Sequence, residues 1–417
     1  MAVSLKSLIN RFGPGVITGA ADDDPSGIAT YSQAGAQTGF GLLWTIVLTW
    51  PMMVAVQSVS ARIGRVTGRG LASNMMDVFP RPLVGLIVAL LLVANAINIG
   101  ADLSAMGAAV RLSVGGSQHL YTGLFAVGSL LATVFIPYHR YVDVLKWLTF
   151  SLFAYIGIVF TVQIDWLEVA KGMFLPRFEL SGDGLTLVVA VFGTTISPYL
   201  FFWQSSQEVE EEEADGVAPL IEKPQEAAHE LQRIRWETWI GMGLSNAVAF
   251  FIILTTAVTL HQNGKTDIQS TEQAAEALKP IAGAAAFYLF SIGIIGTGLL
   301  AVPVLAGSVA YAAGEFFSWP VGLEHPPNKA RGFYSVIAAA VLLGLGVDLA
   351  ELDPIKALVW SAVVNGVAVV PVLVAMMIVA SRPQQMGKFA ASRWQRFFGW
   401  ITTAMMAAAA VAMFATM

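Results

Sequence analysis

The chain has 417 residues, of which 56% are hydrophobic and 12% charged, with a net charge of −5 and no cysteine. Soluble domains carry about 25% charged residues, so this composition implies a polytopic membrane protein. It excludes disulfides, thiolate metal sites and cysteine nucleophiles, and nothing in it suggests nucleic-acid binding.

Apolar stretches of about 20 residues or more fit helices across a bilayer rather than barrel strands. The chain has eleven such spans, at 14–38, 41–61, 83–110, 119–136, 145–164, 184–204, 238–260, 284–313, 333–350, 355–380 and 397–416. Lys6 and Arg11 precede the first, and no small-residue cleavage site comes after a short apolar run, so no cleavable signal peptide is expected.

Span 1 contains Asp22, Asp23 and Asp24 followed by Pro25, Ser26 and Gly27, with apolar sequence on both sides. A carboxylate inside a bilayer is costly and marks a functional candidate. Pro25 lacks an amide donor and clashes with the preceding turn, so a helix entering here breaks. Broken backbone at membrane depth is tolerated only where protein buries it or where it lines a cavity. One reading is a small-ligand site at mid-membrane; the other is a helix that starts at Pro25, with the aspartates as caps in water. Asp24 directly precedes the break, whereas Asp22 and Asp23 are turned from it by about 200° and 100° on a helix.

Span 3 places Asn95, Asn98 and Asp102 at i, i+3 and i+7, on one face. The asparagines read best as interhelical glue, at roughly 1 kcal/mol each. Asp102 stays open between glue and an ion or proton path, with Asn98 beside it, because a buried carboxylate needs a partner or a proton.

Span 6 breaks at Gly193-Thr194-Thr195-Ile196-Ser197-Pro198. It lies five spans after the first break and therefore runs the opposite way. Paired interrupted helices in two halves point to an inverted-repeat transporter with its site at the midplane. The half-helix after Pro198 offers free amides, and the half-helix ending near Asp24 offers free carbonyls. The expected organisation is a single transmembrane domain, with a first repeat at 12–165, a second at 184–380 and an accessory helix at 396–417.

The longest polar connection, Ser205 to Arg235, opens with Glu208 and Glu210 to Glu213, and reads as a solvated loop. Ser245 and Asn246 in span 7, and Asn365 and Gly366 in span 10, sit in apolar runs where a lone Asn reads as packing glue. Pro303 predicts a kink in span 8. Alternating the spans puts 17 of the 23 Lys and Arg on the side of the N-terminus, which the positive-inside rule makes cytoplasmic. An odd count puts the C-terminus outside. The expected location is the inner (plasma) membrane.

The sequence resembles the Nramp family of divalent-metal transporters, most clearly at GPGVITGAADDDPSG, ARIGRVTGRGLA and FGTTISPY. The resemblance implies an all-α LeuT-like fold, two inverted five-helix repeats with broken helices 1 and 6, and accessory helices. The family's DPGN signature appears as Asp24-Pro25-Ser26-Gly27, matching the metal-binding Asp with Asp24 and replacing its Asn by Gly27. Its Met-Pro-His signature reads Ser197-Pro198-Tyr199, so the methionine ligand is replaced by Ser197 and the histidine by Tyr199. The residue whose carbonyl joins the metal site aligns with Thr194, and a glutamine near the metal with Asn365. Asp102 matches the Asp of the family's proton path, but its Glu has become Ala105 or a near neighbour. The chain is similar to Nramp-related branches lacking the methionine, among which magnesium transporters are known.

A thioether suits soft transition metals, while hydroxyls and carboxylates suit hard cations. Mg²⁺ keeps its waters and needs few protein ligands, which suits a roomier site with Gly27, Thr194 and Ser197 around Asp24. The first expectation is therefore a secondary transporter of divalent cations, Mg²⁺ or Mn²⁺, with a small inorganic ion as substrate, the bilayer as its surroundings and no cofactor. The alternative is a transporter of the same fold for a small anion such as bicarbonate, held by the amides after Pro198 and coupled to Na⁺. A membrane enzyme is not expected. The five histidines fall in predicted loops or helix ends, with no HExxH pair and no phosphate-cradling loop.

Overall fold

The computed structural model describes residues 13–136, 150–177, 181–348 and 353–416. All regular structure among them is helical. Span 1 is two helices, α1 (Pro14–Asp22) and α2 (Pro25–Thr38). Span 6 is likewise α6 (Gly182–Thr195) and α7 (Pro198–Asp215). In each case proline sits at the first helical position, where its missing amide costs nothing. The residue before it, Asp24 or Ser197, is extended, as the proline ring requires.

The other long helices are α3 (Leu43–Thr67), α4 (Arg81–Val114), α5 (Gln118–Phe135), α8 (Ala227–Thr259), α9 (Ala286–Phe317), α10 (Arg331–Asp348), α11 (Pro354–Ser381) and α12 (Arg393–Thr416). Among the described residues, eight helices are long and apolar enough to cross a membrane, counting α6 and α7 as one. The fifth expected span is described only in part: residues 145–149 lie outside the described ones, and it continues as a 3₁₀ turn at Phe150–Phe153 and a helix at Ala154–Ile158.

α4 packs along α9, α10, α11 and α5 and forms a central post. α1 lies against α8 with backbone nearly touching backbone. A Cβ on Gly19 would stand 2.3 Å from the Gly241 carbonyl carbon, so small residues set this approach, as is usual between helices in lipid. α6 meets α11 in the same way at Gly193 and Gly366.

The acidic run is not a solvated loop. α7 continues through it to Asp215, and Glu208 and Glu212 are buried. Arg65 of α3 donates to Glu212 at 2.5 Å and to Glu230 of α8 at 3.2 Å. Arg233 of α8 donates to Glu208 at 2.7 Å and Glu237 at 3.1 Å and stands 3.0 Å from Glu211 as an ion pair. Two guanidiniums thus tie the ends of α3, α7 and α8 together. The charge run survives burial because each arginine presents a fork of five donors that several carboxylates share.

Candidate functional site

Asp24 sits between the two helices of span 1 and is 2% exposed. Its Oδ1 accepts the Gly27 amide at 2.8 Å and the Ser26 hydroxyl at 2.7 Å, so it caps α2 as an Asp should. Asp24 is thus a cap, as the second reading expects, but a buried one rather than one in water. Its Oδ2 accepts the Asn98 side-chain amide at 2.9 Å. Asn98 in turn accepts the Ser361 hydroxyl of α11 at 2.6 Å. Asn98 therefore does bond between helices, as glue would, but one of its two partners is the Asp24 carboxylate. Glue is the right reading for Asn95, which donates to the Leu305 carbonyl and to Ser308 of α9.

Across from Asp24 stands the break in span 6. Thr194 Oγ1 lies 3.4 Å from Ser26 Oγ, and a Cβ on Gly27 would stand 3.3 Å from Thr194 Oγ1 and 3.4 Å from the Tyr31 ring. The space expected beside Gly27 is therefore filled in this conformation. Ser197 turns its hydroxyl back on its own chain, donating to the Gly193 and Thr194 carbonyls at 2.8 and 3.0 Å. That proton leaves the oxygen's lone pairs unused. Asn98, Thr194, Ser197 and Asp24 are all buried, so the site is closed to both faces.

Two tyrosines close it. Tyr31 of α2 shares a hydroxyl hydrogen bond with Thr195 of α6 at 2.8 Å. Tyr199 of α7 donates to the Ala21 carbonyl of α1 at 3.1 Å. Each joins one half of span 1 to one half of span 6, on opposite sides of the break. Beyond the Tyr31 clasp a cavity of about 440 Å³ opens among Gln33, Gln37, Asp183, Leu187 and Lys356. Leu187 is seven residues from Thr194, roughly 10 Å of helix.

The remaining candidates lie close by but are not joined to Asp24 by hydrogen bonds. Asp102 is fully buried and neither carboxylate oxygen makes a hydrogen bond. Asn365 is buried with both amide atoms unbonded, one helical turn from Ser361. Asp22 and Asp23 turn toward α8, where Ser245 Oγ lies 2.6 and 3.1 Å from their carboxylates. Ser361 was missed by sequence reasoning. Its i, i+4 spacing to Asn365 is the signal that puts both on one face.

Residues 15–416 match the family model described as natural resistance-associated macrophage protein-like. The chain is 27% identical over 400 residues to the divalent metal cation transporter MntH of Klebsiella pneumoniae strain 342, covering 94% of this chain and 90% of the relative. It is 26% identical over 389 residues to MntH of Acidiphilium cryptum, covering 91% and 84%. Its fold is that of the Eremococcus coleocola manganese transporter, with a TM-score of 0.75 at 18% identity, covering 100% of this chain and 87% of that one. MhsT, solved in complex with L-phenylalanine, shares the fold more distantly, with a TM-score of 0.58 at 11% identity and coverage of 96% and 98%.

Proposed function

The chain belongs to the Nramp family of divalent metal cation transporters, and from that premise we propose that it carries hard divalent ions, Mg²⁺ first and Mn²⁺ second, by alternating access at Asp24. The observation that carries this reading is the donor set at the two breaks. One carboxylate accepts the Ser26 hydroxyl, with the Thr194 hydroxyl 3.4 Å beyond Ser26 Oγ and Ser197 in the place where the family has a thioether. An all-oxygen set with a single charge favours ions that are selected by size and hydration. Membership in this family leaves the small-anion alternative without support.

In this reading Gly27, Asn98 and Ser26 hold the Asp24 carboxylate in place with three donors. The Thr194 carbonyl, the Ser197 oxygen and Asn365 complete a loose shell that accepts an ion with its waters. The Tyr31 clasp opens toward the 440 Å³ cavity to admit the ion, and the Tyr199 clasp opens to release it on the other side. The Lys and Arg bias makes that second side cytoplasmic. Proton coupling is weak or absent. Tyr199 does not titrate near neutral pH, and Asp102 alone makes a poor relay.

Uptake into proteoliposomes across Mg²⁺, Mn²⁺, Ca²⁺ and Cd²⁺ tests the proposal, with internal pH followed in the same vesicles. The expected result is saturable Mg²⁺ uptake, competed by Mn²⁺, lost in Asp24→Ala and free of acidification. No divalent uptake, or a strong preference for Cd²⁺ over Mg²⁺, would refute the hard-ion reading. Acidification that disappears in Asp102→Asn would refute the absence of proton coupling.

A further inference from the structure

A groove of about 830 Å³ runs along the outside of the bundle between α3, α8 and the start of α12. Its length is apolar, lined by Pro51, Val54, Ala55, Leu231, Ile234 and Phe398. At one end stand Arg62 and Arg235. Neither forms an ion pair among the described residues. Arg62 gives Nη1 to the Gln395 side-chain oxygen at 3.0 Å and to the Ala390 carbonyl at 3.4 Å, and Arg235 is exposed.

Acid is not lacking nearby. Arg65, three residues on along α3, and Arg233, two residues before on α8, are each held by several glutamates. Glu208, Glu211 and Glu212 of α7 are engaged by these two arginines and Glu210 by Tyr311 and the Leu323 amide, so Arg62 and Arg235 keep their charge uncompensated. Trp236, Trp239 and Trp394 rim the groove at 60%, 37% and 71% exposure. Such rings favour the headgroup level of a bilayer. From Arg62 to Pro51 is eleven residues, roughly 16 Å of helix, which is about half of the hydrocarbon thickness.

We propose that this groove binds one anionic phospholipid of the leaflet that meets the Arg62 end. Its phosphate lies between Arg62 and Arg235, Trp236 and Trp394 pack at the glycerol level, and an acyl chain follows the wall from Val54 to Pro51, where Trp239 packs edge-to-face on Trp50. The charge complementarity is that of basic pockets between transmembrane helices that hold anionic headgroups. The lipid joins α12 to α3 and α8, the helices that carry Arg65 and Arg233. The inference does not depend on which ion is carried.

Native mass spectrometry of the purified full chain, with phosphatidylglycerol or phosphatidylcholine added, tests it. One phosphatidylglycerol should be retained per chain in preference to phosphatidylcholine. Arg62→Gln with Arg235→Gln should weaken that retention roughly thirtyfold, a factor of about five per guanidinium. Ala55→Trp fills the groove while keeping both arginines and should weaken it as much; it decides the matter if the double variant does not fold. Equal retention of the two lipids, or unchanged retention in a folded variant, would overturn the proposal. So would a lipid-independent dimer that Ala55→Trp dissolves, since the groove would then belong to a second copy of the chain.

Discussion

Asp24→Asn separates the charge of the site from its hydrogen bonding. The new side-chain oxygen can still accept from Gly27 and Ser26, and Asn caps helices about as well as Asp. The other side-chain atom becomes a donor and meets the Asn98 amide, now 2.9 Å from Oδ2. One charge-assisted hydrogen bond is lost and two buried donors face each other, a cost of about 2–3 kcal/mol, offset because a buried charge has also gone. The fold should therefore persist, with a melting temperature lower by a few degrees. Ion binding should suffer far more. Removing one partner of a buried charge interaction costs about 2–5 kcal/mol, so Mg²⁺ affinity by titration calorimetry should fall by a factor of about 30 or more, and uptake should cease. Adding Asn98→Asp restores a donor and acceptor in register, with the Ser361 hydroxyl still donating to position 98. It should recover melting temperature but not uptake, because the charge now sits on α4 rather than at the break. Asp24→Asn that binds and carries Mg²⁺ within threefold of wild type would refute the placement of the site, all the more if Asp22→Asn or Asp23→Asn abolished transport instead.

Ser197→Met with Gly27→Asn should raise Cd²⁺ affinity and lower Mg²⁺ transport, read as competition between the two ions; the asparagine must displace Thr194 Oγ1 or the Tyr31 ring by a few tenths of an ångström. Met106, whose sulfur packs over Gly298, is the control, and Met106→Leu should leave the ion ranking unchanged. Tyr199→Phe removes a bond of about 1 kcal/mol and should raise the thiol reactivity of a Thr18→Cys reporter roughly fivefold, in a chain with no native cysteine; no change would mean that the clasp does not hold α1. Arg65→Ala leaves Glu212 buried without its partner and should cost about 3–5 kcal/mol, seen as a fall in melting temperature that Arg65→Met with Glu212→Leu partly reverses.

The spans and their breaks were legible because they rest on local chemistry. Length and apolarity define a membrane helix, and a proline cannot continue one from the preceding turn. Asp24 was legible for the same reason, being fixed by its neighbour Pro25. What the sequence hid was partnership across long separations. The acidic run looks solvated until Arg65, 147 residues before Glu212, is brought beside it. For Asn98 the spacing gives a face but not what that face meets, which is Asp24 and Ser361. The family resemblance located Ser197 and Tyr199 at the break, but not that Ser197 folds back onto Gly193 and Thr194 or that Tyr199 reaches Ala21.

The two tyrosine clasps also bear on how well the protein insulates the membrane. An uncontrolled current needs a continuous wet path, which requires both clasps to be open at once. If each opens independently against about 1 kcal/mol, the doubly open state is rarer than either singly open one by a further factor of about five. The clasps are not independent, however. Tyr31 and Tyr199 fasten opposite halves of the same two spans, and the residues between them are the short extended linkers at Asp24 and Ser197. If each pair of half-helices moves as a rigid unit about those linkers, tilting one pair apart presses the other pair together. Mechanical opposition of this kind lets weak bonds keep a membrane electrically tight while leaving each gate light enough to turn over quickly.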